Sequence, residues 1–419
     1  MKNVLNHKIT KLTKLISPVL CAILPCALFV SVFFGDFYMK KSLSQNNLNR
    51  KFTKEELADD YDFLWETLES NYLFFSILEE EFGIDVNNIK ETTSELLDEQ
   101  QPDIVNFYRI LDSMFLKLNY FAHLSVVSLH GYETYQQYVN DSNNFQSVWK
   151  NVLDNEQTHV TYTELIPKNV FKDTGYDYPE VDTFYDEIRK AVIFRIKSFD
   201  GSVLMRDQNM IQNYLDTLGS APVEHVIFDI TGNGGGSDSY WMENIVEPFG
   251  GNYTWNSLVY LRDTPLTRDY YFNDLEIKSI SEMEEKNQVP EFVNRLGITH
   301  FIEFENEYHW SSKFSQDILN AKRWVLIDNQ VYSSAESFAN FCKVTGWATL
   351  VGRRTKGDGI GLTPILVNLP NTGLLVRFSA DMAENADGQL DTIYGTVPDF
   401  VSKRYETPQS TLYRLIDAS

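Results

Sequence analysis

From Lys190 onward, short apolar runs alternate with amphipathic stretches, and this alternation restricts the chain more than any other feature. Residues 191–199 predict a strand, residues 206–218 a helix, and residues 223–230 a second strand that ends in a glycine-rich loop. Residues 237–246 predict another helix. Residues 324–328 and 349–352 predict further strands. Between them Ala335, Phe338, Ala339 and Cys342 recur at the spacing of one helical face. Strands that alternate with helices make βαβ units and a mainly parallel sheet, so the expected fold class is α/β. Functional groups of such sheets collect at the carboxyl ends of strands. The glycine-rich loop and the turn before the Ala335–Cys342 face both fall there.

The rest of the chain divides by composition. Residues 1–14 form a basic tail containing Lys2, Lys8, Lys11 and Lys14, and residues 15–35 carry no charge. An uncharged apolar run of this length can span a bilayer as a helix, and the preceding lysines predict that the amino end stays cytoplasmic. The expectation is a single membrane anchor with the bulk of the chain exported, or a signal peptide if the segment is cleaved. Residues 36–52 form a polar linker. Residues 53–130 form a helical region, with Leu57, Tyr61, Leu64, Leu68 and Tyr72 on one apolar face and Ile104, Phe107, Leu111, Phe115 and Leu118 on another. Residues 131–185 are mixed, residues 186–405 hold the strand–helix core, and residues 406–419 form a tail.

Of 419 residues, 43% are hydrophobic, which suits a globular chain with a sizeable core, and the net charge is -23. Such an acidic surface repels a phosphate backbone and argues against a nucleic-acid partner. Cys21 and Cys26 lie in the apolar amino-terminal run and Cys342 on the predicted helix, so no pair within the core can form a disulfide. His130, His159, His225, His300 and His309 show no metal-ligand spacing, and no metal or other cofactor is expected.

Two segments carry candidate chemistry. In Val331-Tyr332-Ser333-Ser334-Ala335-Glu336, the strand-to-helix turn puts Ser333 at a helix amino terminus, where free N–H groups and the dipole favour negative charge. A serine nucleophile benefits from that place, because its attack creates an oxyanion. Ser333-x-x-Glu336 is equally the pattern of a capping box, in which the same residues only satisfy backbone donors. In Asp229-Ile230-Thr231-Gly232-Asn233-Gly234-Gly235-Gly236, successive glycines allow close backbone approach to a ligand. A dinucleotide loop is disfavoured because Ser237 replaces the last glycine of that pattern, and no Gly-Lys-Ser/Thr makes a P-loop.

Two more segments follow, Gly352-Arg353-Arg354-Thr355-Lys356-Gly357-Asp358-Gly359 and Gly395-Thr396-Val397-Pro398-Asp399. Taken in order, the four motifs resemble the S41 serine peptidases, the tail-specific (C-terminal processing) and tricorn-type proteases, over about residues 186–405. The resemblance implies a ClpP/crotonase-like core with Ser333 as nucleophile. It also implies an oxyanion hole built from the Gly235 or Gly236 amide together with that of Ser334. The chain departs from the tail-specific branch at Asp358, where that branch has its lysine base; Lys356 lies two residues earlier. The tricorn-type branch uses a histidine instead. Leu118-Asn119-Tyr120-Phe121-Ala122-His123 ends the helical region in a similar context, which makes His123 the candidate base. An imidazole can take a serine proton at neutral pH. That branch also has a carboxylate shortly before Gly-x-x-Pro-Asp, for which Asp391 is the nearest candidate.

The resemblance therefore implies a serine endopeptidase acting on exported or cell-surface polypeptides. Its rivals are an inactive peptide-binding or sensor module, suggested by the missing lysine, and a hydrolase of esters or other small acyl substrates.

Overall fold

The computed structural model describes residues 50–141, 147–171, 179–272, 275–285 and 289–418. The expected anchor at residues 15–35, with its basic tail and nearly all of the linker, lies outside the described residues. Among the described residues no helix is long and apolar enough to cross a membrane.

Helices of eight residues or more are numbered here. The amino-terminal region is helical as its periodicity predicts: α1 (Lys54–Asn71), α2 (Phe75–Phe82), α3 (Val86–Glu99) and α4 (Ile104–Lys117). A capping box of Thr53 and Glu56 starts α1, and the Asp103 side chain accepts from the Val105 and Asn106 amides to start α4. After α4 come β1 (Ser125–Val126) and α5 (Leu129–Asp141), then β2 (Asp182–Asp186), β3 (Ala191–Arg195), α6 (Leu204–Leu218) and β4 (His225–Asp229). The helix expected at 237–246 is a short α turn, Asp238–Trp241, that widens into a π-helical turn, Met242–Val246. Beyond it lie β5 (Gly251–Leu261), β6 (Lys278–Ser279), β7 (His300–Trp310), β8 (Lys322–Ile327), α7 (Ser334–Thr345) and β9 (Thr349–Gly352). The chain ends with β10 (Ile365–Asn368), β11 (Leu375–Phe378), β12 (Asp381–Ala383), β13 (Phe400–Val401) and α8 (Pro408–Asp417).

The strands form three sheets. The largest has the order β13-β9-β8-β4-β3-β2 and is parallel except for the β2–β3 pair. Alternation along its strands divides the faces. Val192, Phe194, Val226, Phe228, Val325 and Ile327 pack under Ala335 and Phe338 of α7. Ile193, Ile227, Trp324 and Leu326 meet Leu412 of α8 on the other side. This two-sided burial is why the strands read as continuous apolar runs. A second sheet is dominated by the β5–β7 hairpin (order β12-β5-β7-β6), and a third joins β1, β11 and β10.

Lys51–Ser419 forms one compact unit. The segments 53–130, 131–185 and 186–405 distinguished by composition are not separate bodies, because one apolar core runs through all of them. It contains Leu64, Phe107 and Leu111 from the helical region, Tyr162 from the mixed region, and Val259, Phe301, Leu366 and Val376 from the last. A buried polar clamp reinforces this union. The Asp60 carboxylate of α1 accepts from the Asn371 amide at 2.7 Å, the Thr372 amide at 2.8 Å and the Thr372 hydroxyl at 2.6 Å, fixing the turn between β10 and β11. Burial raises the Asp60 pKa even against these donors. Asp60→Ala would leave the Thr372 groups buried without an acceptor, and the expected loss is about 1–3 kcal/mol of unfolding free energy. Urea denaturation of the variant checks this, and an unchanged midpoint would refute the clamp.

Candidate active site

Ser333 sits where the parallel sheet opens. The strand β8 ends at Ile327, and Ser333 turns the chain into α7 with φ 55° and ψ -130°. For a residue with a Cβ such a backbone costs on the order of 1–3 kcal/mol and must be held by its surroundings. Its amide donates to the Gly357 carbonyl at 3.3 Å, its carbonyl accepts from the Ser337 amide at 2.9 Å, and the Tyr332 amide donates to the Asn233 carbonyl at 3.2 Å. The capping-box alternative does not hold. The Ser333 side chain caps nothing, and Glu336 accepts from the Thr396 hydroxyl instead.

His123 reaches this hydroxyl from the far end of the helical region. Between α4 and β1, Asn119, Tyr120, Ala122 and His123 all have φ between 46° and 60°, a left-handed run that side chains normally avoid. Neighbours enforce it. The Tyr72 hydroxyl donates to the Phe121 carbonyl at 2.8 Å, the Ser379 amide to the Ala122 carbonyl at 2.9 Å, and the His123 amide to the Tyr332 hydroxyl oxygen at 3.1 Å. The outcome is His123 Nε2 at 3.1 Å from Ser333 Oγ.

The carboxylate on the other ring nitrogen is Asp358, not Asp391. His123 Nδ1 lies 2.8 Å from Asp358 Oδ2, with Ser379 Oγ at 3.1 Å as a second neighbour. Asp358 follows β9 in the loop where the Gly-x-Gly spacing lets the backbone pass close by. A Cβ at Gly359 would fall 2.3 Å from the Ser333 carbonyl oxygen, and one at Gly357 2.1 Å from that of Asp391. The Tyr332 hydroxyl also donates to Asp358 Oδ2. Asp391 is buried one layer behind. Its Oδ2 accepts from the Gly359 amide at 2.8 Å, so it supports the loop carrying Asp358 and does not meet the imidazole. Burial and then the neighbouring Glu336 carboxyl push Asp391 well above the carboxylate range, and burial raises Glu336 as well. Each buried carboxyl, when ionised, thus disfavours the ionised form of the other.

The electrostatics of the three residues agree. Burial lowers the His123 pKa from 6.5, an effect that Asp358 opposes and that Arg377 and Lys356 reinforce. Burial works against the Asp358 charge as well, but the imidazole, the Tyr332 hydroxyl and Arg377 together hold it below its ordinary value. Asp358 is thus ionised and His123 neutral at pH 7, with the ring proton on Nδ1 facing the carboxylate and Nε2 open to the serine.

The glycine-rich loop after β4 lies against the same turn. A Cβ at Gly235 would fall 2.8 Å from Ser333 Cβ and 2.9 Å from the Ser334 nitrogen. The Gly235 amide is already committed to Asn233 Oδ1 at 2.8 Å. Gly236 bridges Phe199 in parallel, with the Gly235 carbonyl and Ser237 amide making the bonds, which turns the Gly236 N–H to the other side. Among the described residues the Gly236 and Ser334 amides have no acceptor. Of the residues singled out by sequence, Ser333, His123, Gly235, Gly236 and Ser334 come together. Tyr332 and Ser379 were not anticipated. Asp358 was noticed only as a missing lysine, although the position that places a base beside the serine also places a carboxylate beside a histidine.

Residues 190–402 match the model of Peptidase family S41. A search of curated proteins gave no match. Among solved structures, mature CPAF is 13% identical over 87% of this chain and 96% of its own, with a TM-score of 0.50. Mature CPAF complexed with lactacystin gives the same identity and score over 97% of its chain. A putative peptidase from Parabacteroides merdae ATCC 43184 is 18% identical over 88% of this chain and 99% of that one, with a TM-score of 0.48. The CPAF likeness is one of fold. With the match over half of its length, the chain belongs to peptidase family S41 and is a serine-type peptidase, a hydrolase.

Proposed function

We propose that this peptidase is an endopeptidase that cleaves exported or cell-surface polypeptides through Ser333, His123 and Asp358. The observation that carries the reading is the imidazole held at 3.1 Å from the serine oxygen and 2.8 Å from a carboxylate. His123 Nε2 takes the Ser333 proton as Oγ attacks the scissile carbonyl, and returns it to the leaving amine. Asp358 holds the ring tautomer and stabilises the imidazolium formed in that step. The unpartnered Gly236 and Ser334 amides, with the α7 amino terminus behind them, receive the oxyanion. The charge-free run at 15–35 with lysines before it supports an anchored or exported location. Against the inactive reading suggested by the absent lysine, the carboxylate of Asp358 beside His123 supports an active site with a histidine base.

Three outcomes are expected. Ser333→Ala abolishes peptide hydrolysis and labelling by a serine-reactive phosphonate while the circular dichroism spectrum stays unchanged; hydrolysis at the normal rate would refute the assignment. Gly235→Ala, whose Cβ meets Tyr332, Ser333 and Ser334 together, lowers kcat by at least about 100-fold, comparable to the loss of an oxyanion donor, as steady-state kinetics would show. The third concerns pH. A base works only when neutral, and the folded His123 pKa lies below 6.5, so kcat/KM is full at neutral pH and falls as pH drops through that lower value. Asp358→Asn removes the charge that raises the imidazole pKa. It shifts the acid limb lower still while reducing kcat about 10³- to 10⁴-fold. An acid limb moving upward in that variant would contradict the pairing.

A further inference from the structure

Among the described residues, two cations beside the catalytic groups have no acidic partner, in a chain with 59 acidic and 36 basic residues. Arg377 lies on β11, directly across from Ser125 of β1 and two residues before Ser379, whose hydroxyl touches the imidazole. Alternation along an extended strand puts Arg377 on the same side as Ser379, while Val376 and Phe378 turn into the core. Its buried Nε has no hydrogen-bond partner, and its guanidinium makes no ion pair among the described residues. The Tyr135 ring lies 5.8 Å from its Cζ. Lys356 is exposed and likewise makes no ion pair among the described residues. It does not serve Ser333; its Nζ sits over the Tyr332 ring at 4.6 Å, and that ring is 5.0 Å from the imidazole. Asp358 does not neutralise these cations by contact, because its oxygens are engaged by His123, Tyr332 and Thr392.

We propose that Arg377 and Lys356 form a receptor for a carboxylate of the bound polypeptide next to the scissile bond, so that this peptidase selects substrates bearing an acidic side chain or a free chain terminus there. The proposal rests on the peptidase reading above. A buried guanidinium edge without an acceptor carries an unmet desolvation cost, which a planar carboxylate meets with two parallel hydrogen bonds. Lys356 adds a mobile point charge from the solvent side. A neutral or basic group in the same place would leave Arg377 as it is or repel it. The two cations therefore discriminate between substrates by charge.

The test uses the full chain with paired peptides that differ only in Glu against Gln near the cleavage site, or in a free terminus against a terminal amide. Dissociation constants are measured by fluorescence anisotropy on Ser333→Ala, which needs no turnover, and kcat/KM on the active chain. Carboxylate-bearing peptides are expected to bind about 10- to 100-fold more tightly than their neutral twins in at least one pair, the scale of a charge-assisted hydrogen bond, and the pair that responds identifies the source. Adding Arg377→Gln collapses the ratio, Arg377→Lys retains part of it, and Lys356→Gln, at an exposed position, reduces it. Equal affinity within both pairs overturns the proposal. So does an Arg377→Gln variant that weakens both members of a pair alike. If the charge preference persists in binding while the active chain hydrolyses nothing, the peptidase reading fails and the receptor stands.

Discussion

The site depends on one imidazole bridging two oxygens that belong to distant parts of the chain. His123 comes from the end of the helical region, Ser333 from the turn after β8, and Asp358 from the loop after β9. The parallel sheet alone can bring the last two together, because β8 and β9 are neighbours and both loops leave their carboxyl ends. The histidine needs something more. The β1–β11 pairing, the Tyr332 hydroxyl on its amide and the Ser379 amide on the Ala122 carbonyl draw it across. The geometry at the serine is thus a product of the whole core and not of one motif.

The strain is concentrated at the same place. Ser333 and the run from Asn119 to His123 occupy backbone regions that cost free energy; Ser333 is locked by bonds to Gly357 and Ser337, and the run by bonds from Ser379 and to Tyr332 that cross between the sheet and helical parts. Asn233 shows how economical the locking is: its carbonyl holds Tyr332, its side-chain oxygen holds the Gly235 amide, and its side-chain nitrogen donates to the Ile196 carbonyl. One buried residue therefore sets the glycine loop against the Ser333 turn. Behind it, the buried carboxyls of Glu336 and Asp391 brace the neighbouring loops, Glu336 by accepting from the Thr396 hydroxyl and Asp391 by accepting from the Gly359 amide.

Much of this was readable in the sequence because the controlling signals are local. Apolar runs buried on both faces gave the parallel strands, and residues 349–352 are a strand with the expected bounds. The turn at Ser333 and the glycines after β4 were visible as breaks between periodic stretches. What escaped depends on contacts across long separations. The β5–β7 hairpin spans 11-residue strands separated by nearly forty residues, so no tight-turn signal announces it. Asp391 looked like the orienting acid from its place before Gly395. Only the fold reveals that Asp358 is nearer, and that Gly357 and Gly359 exist to let its loop pass. Tyr332 and Ser379 carry no motif at all; they act through hydroxyl positions that a linear pattern does not encode.

The left-handed run from Asn119 to His123 has a consequence for biosynthesis. Its restraints come from Tyr332 and Ser379, more than 200 residues downstream, and Asp358 lies between them in the chain. A growing polypeptide holds His123 early but cannot orient it until Tyr332, Asp358 and Ser379 have emerged. The arrangement of Ser333, His123 and Asp358 therefore forms with the late strands and not with the helical region that carries the imidazole.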